Sequence, residues 1–465
     1  MVKARVWDYW RRAETGKIVP ERDFETKIFF PKVTELVKQY GIKYDPEDIV
    51  PTDKSLMDDV YKAGMELLLE VGIYCTDTEK IIEFEEWEVK EAVRTPPKEV
   101  TLGEGNDAVA VVARKLEDRR RPFVSGGPMC VSMSEEWAVK IYESHAKEPA
   151  NDGLVFGTLI SLEGMRVKAN APIEMHAERR NIAFMREATN RVGRPGMGLI
   201  GSPAVSVGAN VGASDPERGW RKCDYRHAYI LPDLKTDYIT MSIVAHYMEY
   251  GSHYYGCGTP GVGGLSGGPE GTTITNVAEG LASQVLYQPS FLVTTGMDAI
   301  KAPGCSSRAP MWSGNLASAA IADKTDLVNL GNVPYVAFAG PCTDMILYEI
   351  AALSIGCTVT GGHPAGLGPL SGTGLGRLDC TTGMESRFMG EVARAATKLK
   401  LEDANEIVKK LNAKYQDNID NDKIPLGKTF QECYDTATLT PSKEYVEIYS
   451  KVKKELEDLG LEFEY

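Results

Sequence analysis

The chain has 465 residues, 43% hydrophobic and 25% charged, the composition of a folded globular protein with room for one large core. Its formal net charge is −14, the wrong sign for nucleic acid or an anionic membrane as partner. The start, MVKARVWDYWRR, lacks a signal peptide's apolar run, and no apolar stretch predicts a membrane span. Nine cysteines without a CxxC pair read as free thiols of a reducing cytoplasm.

Residues 1–100 are charged and mostly helical in pattern. SLMDDVYKAGMELLLEVGI places Met57, Val60, Ala63, Leu68 and Leu69 on one apolar face and closes at Gly72. From about residue 105, short runs of β-formers alternate with amphipathic helical stretches. DAVAVVAR, RPFVSGGP, GLVFGTLIS, MGLIG, SHYYGCG, SFLVTTG and YVAFAGP predict strands. HAERRNIAFMREATNRVG, DYITMSIVAHYMEYG, TTITNVAEGLASQVLYQ, APMWSGNLASAAIADKT and TDMILYEIAALSIG predict helices between them. Regular alternation means βαβ units and a parallel sheet. With so many units and no dinucleotide fingerprint, the expected fold is an α/β (β/α)8 TIM barrel over residues 106–400. A helical extension over 1–105 would pack on it, and the amphipathic helices of 401–465 would lie outside it. A doubly wound sheet is the alternative.

Glycine clusters follow predicted strands at 196–201, 258–271 and 361–376. In a barrel the strand C-termini carry the site, so these loops would line its mouth; ordinary flexible loops are the plainer reading. None matches a phosphate-cradling motif.

GRPGMGLIG, VAHY, AGPCTDM, TTGMESRFMGEVARA and GKTFQECYD resemble the monomethylamine:corrinoid protein methyltransferases of methanogens, as do GIYCTDTEK and KKELEDLGLEF. The resemblance runs from about residue 50 to the C-terminus. It implies a TIM barrel, a cytoplasmic homo-oligomer (a hexamer in the type enzyme), and methyl transfer to Co(I) on a separate corrinoid protein. In that family the position matching Ile200 holds pyrrolysine, whose imine captures the amine. Isoleucine offers neither electrophile nor hydrogen bond. The resemblance also aligns family carboxylates with Cys257 and His227, and a family glutamine and tyrosine with Val333 and Tyr335. Several site positions thus differ together, which points to a different substrate on a retained scaffold.

In a strand, His253, Tyr255 and Cys257 share one face. Tyr255, with Tyr335, Trp312, Tyr247 and Tyr250, could form an aromatic cage, or could be core or oligomer contacts. Aromatic faces attract a quaternary ammonium. Such a donor already carries the positive charge that lets a neutral amine depart, so it would tolerate the loss of pyrrolysine. Zinc held by His227 and Cys257 is the second chemical route, with methanol, methoxyl or methylthiol donors polarised by the metal. Cys305, Cys342, His363 and Glu270 are its only candidate further ligands, and a cysteine in such a barrel is more often a small buried hydrophobe.

GGHPAG lacks the aspartate of the cobalt-ligating DxHxxG motif and reads as a loop, so the corrinoid is expected on the partner and no cofactor tightly on this chain. Glu270 would steer a cation or cap the following helix. Glu391 and Arg394 would pair on a helix surface. The expected protein is therefore a pyrrolysine-free methyltransferase acting on a small methylated, preferentially quaternary, amine. His227, Cys257 and Tyr335 would be its catalytic groups, and Ile200, Tyr255, Glu270 and Val333 would contact substrate. A scaffold that docks corrinoid proteins without chemistry is the non-enzymatic alternative.

Overall fold

Six short strands stand side by side in chain order, all parallel: β1 (Ser125–Gly126), β2 (Gly153–Val155), β3 (Gly198–Ile200), β4 (Tyr225–Tyr229), β5 (His253–Gly258) and β6 (Phe291–Thr294). The computed structural model describes residues 2–463 apart from 203, 302–303, 334–335 and 374–375. Two further segments close the sheet into a ring. Leu292 N–H donates to Val328 O at 2.9 Å, and Leu330 N–H returns a bond to Leu292 O at 2.7 Å. His363 N–H donates to Leu330 O at 2.9 Å. Ser125 N–H then donates to Pro364 O at 3.0 Å, and Gly366 N–H to Ser125 O at 2.6 Å. Residues 328–331 and 363–366 therefore occupy the seventh and eighth barrel positions.

A helix follows each position: α1 (Ala138–Ala146), α2 (Pro172–Arg191), α3 (Val207–Gly212), α4 (Tyr238–Tyr250), α5 (Pro269–Leu286), α6 (Arg308–Lys324), α7 (Asp344–Val359) and α8 (Gly383–Ala396). This is the (β/α)8 barrel. Both faces of the sheet are covered, which is why its strands are buried almost throughout.

Three expectations need correction. DAVAVVAR supplies no barrel strand, because its Val109–Val112 pairs antiparallel with Glu99–Leu102 in a separate hairpin. YVAFAGP is not the seventh barrel strand. Its Val336–Ala337 pairs with Gly368–Pro369 beyond the ring, as Ser132–Met133 pairs with Thr158–Leu159 and Gly261–Val262 with Met297–Asp298. GGHPAG is not only a loop, because it supplies the eighth position. Asn, Gly and Pro in 328–331 and 363–366 break the apolar run by which a buried strand is recognised, and the ladder there reduces to isolated bridges, Leu292 with Asn329 and Ser125 with Ala365.

The N-terminal extension packs on α5 and α6 through the helix Lys54–Val71. Asp53 caps that helix by accepting from Ser55 N–H, and Gly72 ends it at φ 70°. Gly64 lets it approach α5 closely, since a Cβ there would stand 2.6 Å from Val277 Cγ1. Beyond Gly72 the chain forms a small sheet missed by the pattern reading. Ile73–Cys75 pairs with Lys80–Ile82 and, in parallel, with Lys235–Thr236 from the loop after β4. The helices Leu401–Asn412 and Lys443–Asp458 lie outside the barrel as expected, and the first of them packs on α7. Tyr445 of the second donates its hydroxyl to Glu385 of α8. Glu391 pairs with Arg387 at 2.8 Å rather than with Arg394, whose guanidinium donates to Pro149 O at 3.2 Å. The other oxygen of Glu391 is taken by Tyr449 and, at 2.9 Å, by Lys453 of the C-terminal helix.

All nine cysteines are free. Among the described residues no helix is long and apolar enough to cross a membrane.

Candidate functional site

Strand alternation selects what faces the barrel axis. On β4, Arg226 points outward: its guanidinium lies 4.3 Å from the Tyr247 ring and donates to Ser214 and Asn210. Tyr225, His227 and Tyr229 therefore point inward. On β5, Tyr254 points outward and donates to Tyr287 O at 2.7 Å, which leaves His253, Tyr255 and Cys257 inside. The register sets His227 beside Tyr255 and Tyr229 beside Cys257.

Ile200, the last residue of β3, is in register with Val155 and Tyr225 and so shares their inner face. It is 1% exposed. Its Cδ1 lies 2.7 Å from where a Cβ on Gly153 would stand, so that glycine makes room for it near the Phe123 ring. The next residue, Gly201, has φ 101°, and a Cβ there would overlap the Phe156 ring. Phe156 N–H donates to Ile200 O at 3.1 Å. The glycines around Leu199 and Ile200 thus allow close packing inside the barrel.

His227 is the hub of an aromatic group. Its ring centroid lies 4.5 Å from that of Tyr229, 5.7 Å from Tyr255 and 5.7 Å from Phe156. Below it, Tyr225 meets Tyr255 edge-on at 5.7 Å and Phe291 at 5.3 Å, and its hydroxyl is 3.1 Å from Ser125 Oγ. Burial pushes His227 down to about 3, with the Arg226 charge acting in the same direction, so the imidazole is neutral at physiological pH. Burial raises the Tyr229 hydroxyl well above its ordinary range. Both residues keep some accessible surface, because they line a cavity of about 210 Å³ with Val205, Ile239 and Ile243. Cys257 is fully buried, and its Sγ is 3.6 Å from Gly258 O. The resulting wall is rich in π faces, with the Asp237 carboxylate also in the cavity's lining, and suits a cation.

Of the residues singled out in the sequence, Ile200, His227, Tyr255 and Cys257 come together on the inner face of β3–β5. Val333 is buried just past the seventh position, its carbonyl 3.4 Å from Thr295 Oγ1, and Tyr335 lies outside the described residues. Glu270 sits in the first turn of α5 and accepts from Tyr44 N–H at 3.1 Å, as a helix-end carboxylate does. Two expected cage members are elsewhere: Tyr250 lies on α4 with its hydroxyl on Trp220 O, and Trp312 lies on α6 against Tyr44 at 5.2 Å. Tyr247, also on α4, lines the cavity together with His227 and Tyr229. Tyr229, Tyr225 and Phe156 join the aromatic group around His227. The first two were missed because DYRHAYI holds Arg and His; the period-2 spacing of Tyr225, His227 and Tyr229 was the available signal.

The expected further metal ligands do not converge with His227 and Cys257. His363 uses both nitrogens, accepting from Phe123 N–H at 2.9 Å and meeting Val112 O at 2.8 Å. The Cys342 thiol is engaged by Cys433, which holds it below its usual range. Among the described residues no three His, Cys, Asp or Glu side chains group as a metal site.

A closed (β/α)8 barrel with a candidate site at the C-terminal ends of its strands defines a TIM-barrel enzyme. The model of the family "Monomethylamine methyltransferase MtmB" matches residues 4–461. The chain is 37% identical over 461 residues to monomethylamine methyltransferase MtmB1 of Methanosarcina acetivorans, and equally to MtmB of Methanosarcina mazei, covering 98% of each chain. The crystal structure of the Methanosarcina barkeri monomethylamine methyltransferase (MtmB) matches with a TM-score of 0.92 at 35% identity, again over 98% of both chains. A hydroxylamine MtmB complex matches as well, with the same TM-score. The chain belongs to the monomethylamine methyltransferase MtmB family and is a methyltransferase.

Proposed function

We propose that this protein moves a methyl group from a small quaternary methylammonium compound to Co(I) of a separate corrinoid protein. Membership of a family named for monomethylamine methyl transfer supports the reaction class. The aromatic wall around His227 supports the donor class. An apolar Ile200, a neutral His227 and the thiol of Cys257 stand where the resemblance places groups that activate a neutral amine. A quaternary donor needs none of them. Its methyl carbon is electrophilic, and the C–N bond breaks with both electrons going to nitrogen, so a neutral tertiary amine leaves as the new carbon–cobalt bond forms.

This chain's own residues bind and orient the donor. Tyr229, Tyr255, His227 and Phe156 offer π faces at about 0.5–2 kcal/mol each. Ile200 fills the floor so that the methyl group to be transferred is held towards the mouth, where in-line geometry supplies the rate.

The test is methylation of a reduced corrinoid protein, followed by its visible spectrum, with mono-, di- and trimethylamine, tetramethylammonium, choline, glycine betaine, methanol and methylthiols as donors. Methyl transfer from a quaternary donor alone supports the proposal. Transfer from monomethylamine, or from methanol with zinc, overturns it.

A further inference from the structure

Behind the segment that follows β3 lies a second cavity, of about 170 Å³. Its walls are largely apolar, with Leu159, Val167, Ala177, Ala204 and Val205 among them. Ala204 and Val205 also line the cavity that holds His227 and Tyr229, so the two spaces share one thin wall, two residues beyond Ser202. Glu178 of α2 lines the second cavity and is 2% exposed. Its Oε1 accepts from Ser202 Oγ and from Trp220 Nε1, both at 2.8 Å. Its Oε2 is buried and has no donor among the described residues.

Glu174 and Asn181, which line the same space, are occupied. Glu174 accepts from the backbone N–H groups of Val205, Ser206 and Asn170. Asn181 donates to Gly157 O and accepts from Tyr142. The charged groups that act on Glu178 are Arg226 and Glu174, and the Arg226 guanidinium is held by Ser214 and Asn210 instead. A buried carboxylate oxygen without a donor is costly, and an N–H-bearing cation removes that cost. Apolar walls accept methyl groups. At about 30 Å³ for each water-sized group, the space suits a small organic ammonium.

We propose that the Glu178 cavity binds a protonated tertiary amine, the class of product that the reaction proposed above releases. This rests on that reading. The neutral amine takes a proton from water and then presents one N–H to Glu178 Oε2. A quaternary ammonium has no N–H to give, so Glu178 Oε2 selects the protonated product over the quaternary donor.

The test is calorimetric titration of the protein alone, without any corrinoid protein, using trimethylammonium chloride and, separately, tetramethylammonium chloride. Glu178→Gln keeps an oxygen for Ser202 and Trp220 but removes the charge. It is expected to weaken trimethylammonium binding about ten-fold or more while tetramethylammonium binding is unchanged. Ala177→Leu, which fills the cavity with the carboxylate in place, is expected to give the same loss. Should Glu178→Gln fail to fold by circular dichroism, Ala177→Leu alone decides. Trimethylammonium affinity within two-fold of wild type in the folded variant overturns the proposal. Because no methyl transfer is read, a failure of the quaternary-donor reading shows in the corrinoid assay and leaves this result legible.

Discussion

His227 and Tyr255 stand in register on adjacent parallel strands, their rings 5.7 Å apart and both turned to the barrel axis. Neither residue is near the other in sequence. Parallel pairing makes them neighbours, and the pairing also brings Tyr229 beside Cys257. If this wall holds a quaternary cation, Tyr229→Leu and Tyr255→Leu should each raise KM for the donor about 2- to 30-fold with a smaller change in kcat. Steady-state methylation of the corrinoid acceptor reads the split.

Ile200 tests the packing of the barrel floor. Ile200→Val removes one methylene from a side chain seated against Gly153, and should cost about 0.5–1.5 kcal/mol in urea unfolding. Gly153→Ala should be worse than its small size suggests, because the added Cβ meets Ile200 Cδ1 at 2.7 Å and the Phe123 ring at 3.0 Å.

Glu349 gives a pH dependence. This carboxylate on α7 accepts from Phe338 N–H at 2.6 Å, Ala339 N–H at 3.1 Å and Ser306 Oγ at 3.1 Å, clasping two loops of the mouth. Burial pushes it up to about 7. The native state therefore holds a proton that the unfolded chain has already lost between about pH 4.5 and 7. Its contribution to stability is complete below that window and falls as pH rises through it, by at most about 1.4 kcal/mol per pH unit. Glu349→Gln should flatten this part of the stability profile, read by chemical denaturation at successive pH values.

The motif TTGMESRFMGEVARA finds its role in Tyr445. Glu385 closes a capping box with Thr382 at the start of α8 and takes the Tyr445 hydroxyl from the C-terminal helix. Tyr445→Phe leaves a fully buried carboxyl with one donor fewer. A loss of about 1–3 kcal/mol in thermal or urea unfolding is expected, with the donor KM unaffected.

Five of the barrel's helices and most of its strands were legible from their apolar runs and turn residues, while the short helices α1 and α3 were not. The helix Lys54–Val71 shows its face and its terminal glycine in the sequence itself. The seventh and eighth positions were not legible. Each is too short and too rich in Asn, Gly and Pro to show a strand pattern, and each exists only because its neighbours offer free backbone groups. Strand β4 was hidden for the opposite reason: its outward residue is Arg226, whose charge breaks the apolar run but is satisfied by Asn210, Ser214 and the Tyr247 ring.

The sequence by itself determined most of the alternation of strand and helix, the glycines at the strand ends and the resemblance to a methyltransferase family. Local periodicity encodes the first, turn chemistry the second, and the motifs carry the resemblance. The tertiary structure decided which aromatics gather around His227, admitting Tyr229, Tyr225 and Phe156, leaving Tyr247 to line the cavity from α4 and placing Trp312 and Tyr250 elsewhere. It also decided that Glu178 keeps one oxygen without a donor. Both follow from the register of strands distant in sequence and from the burial that only a closed barrel provides.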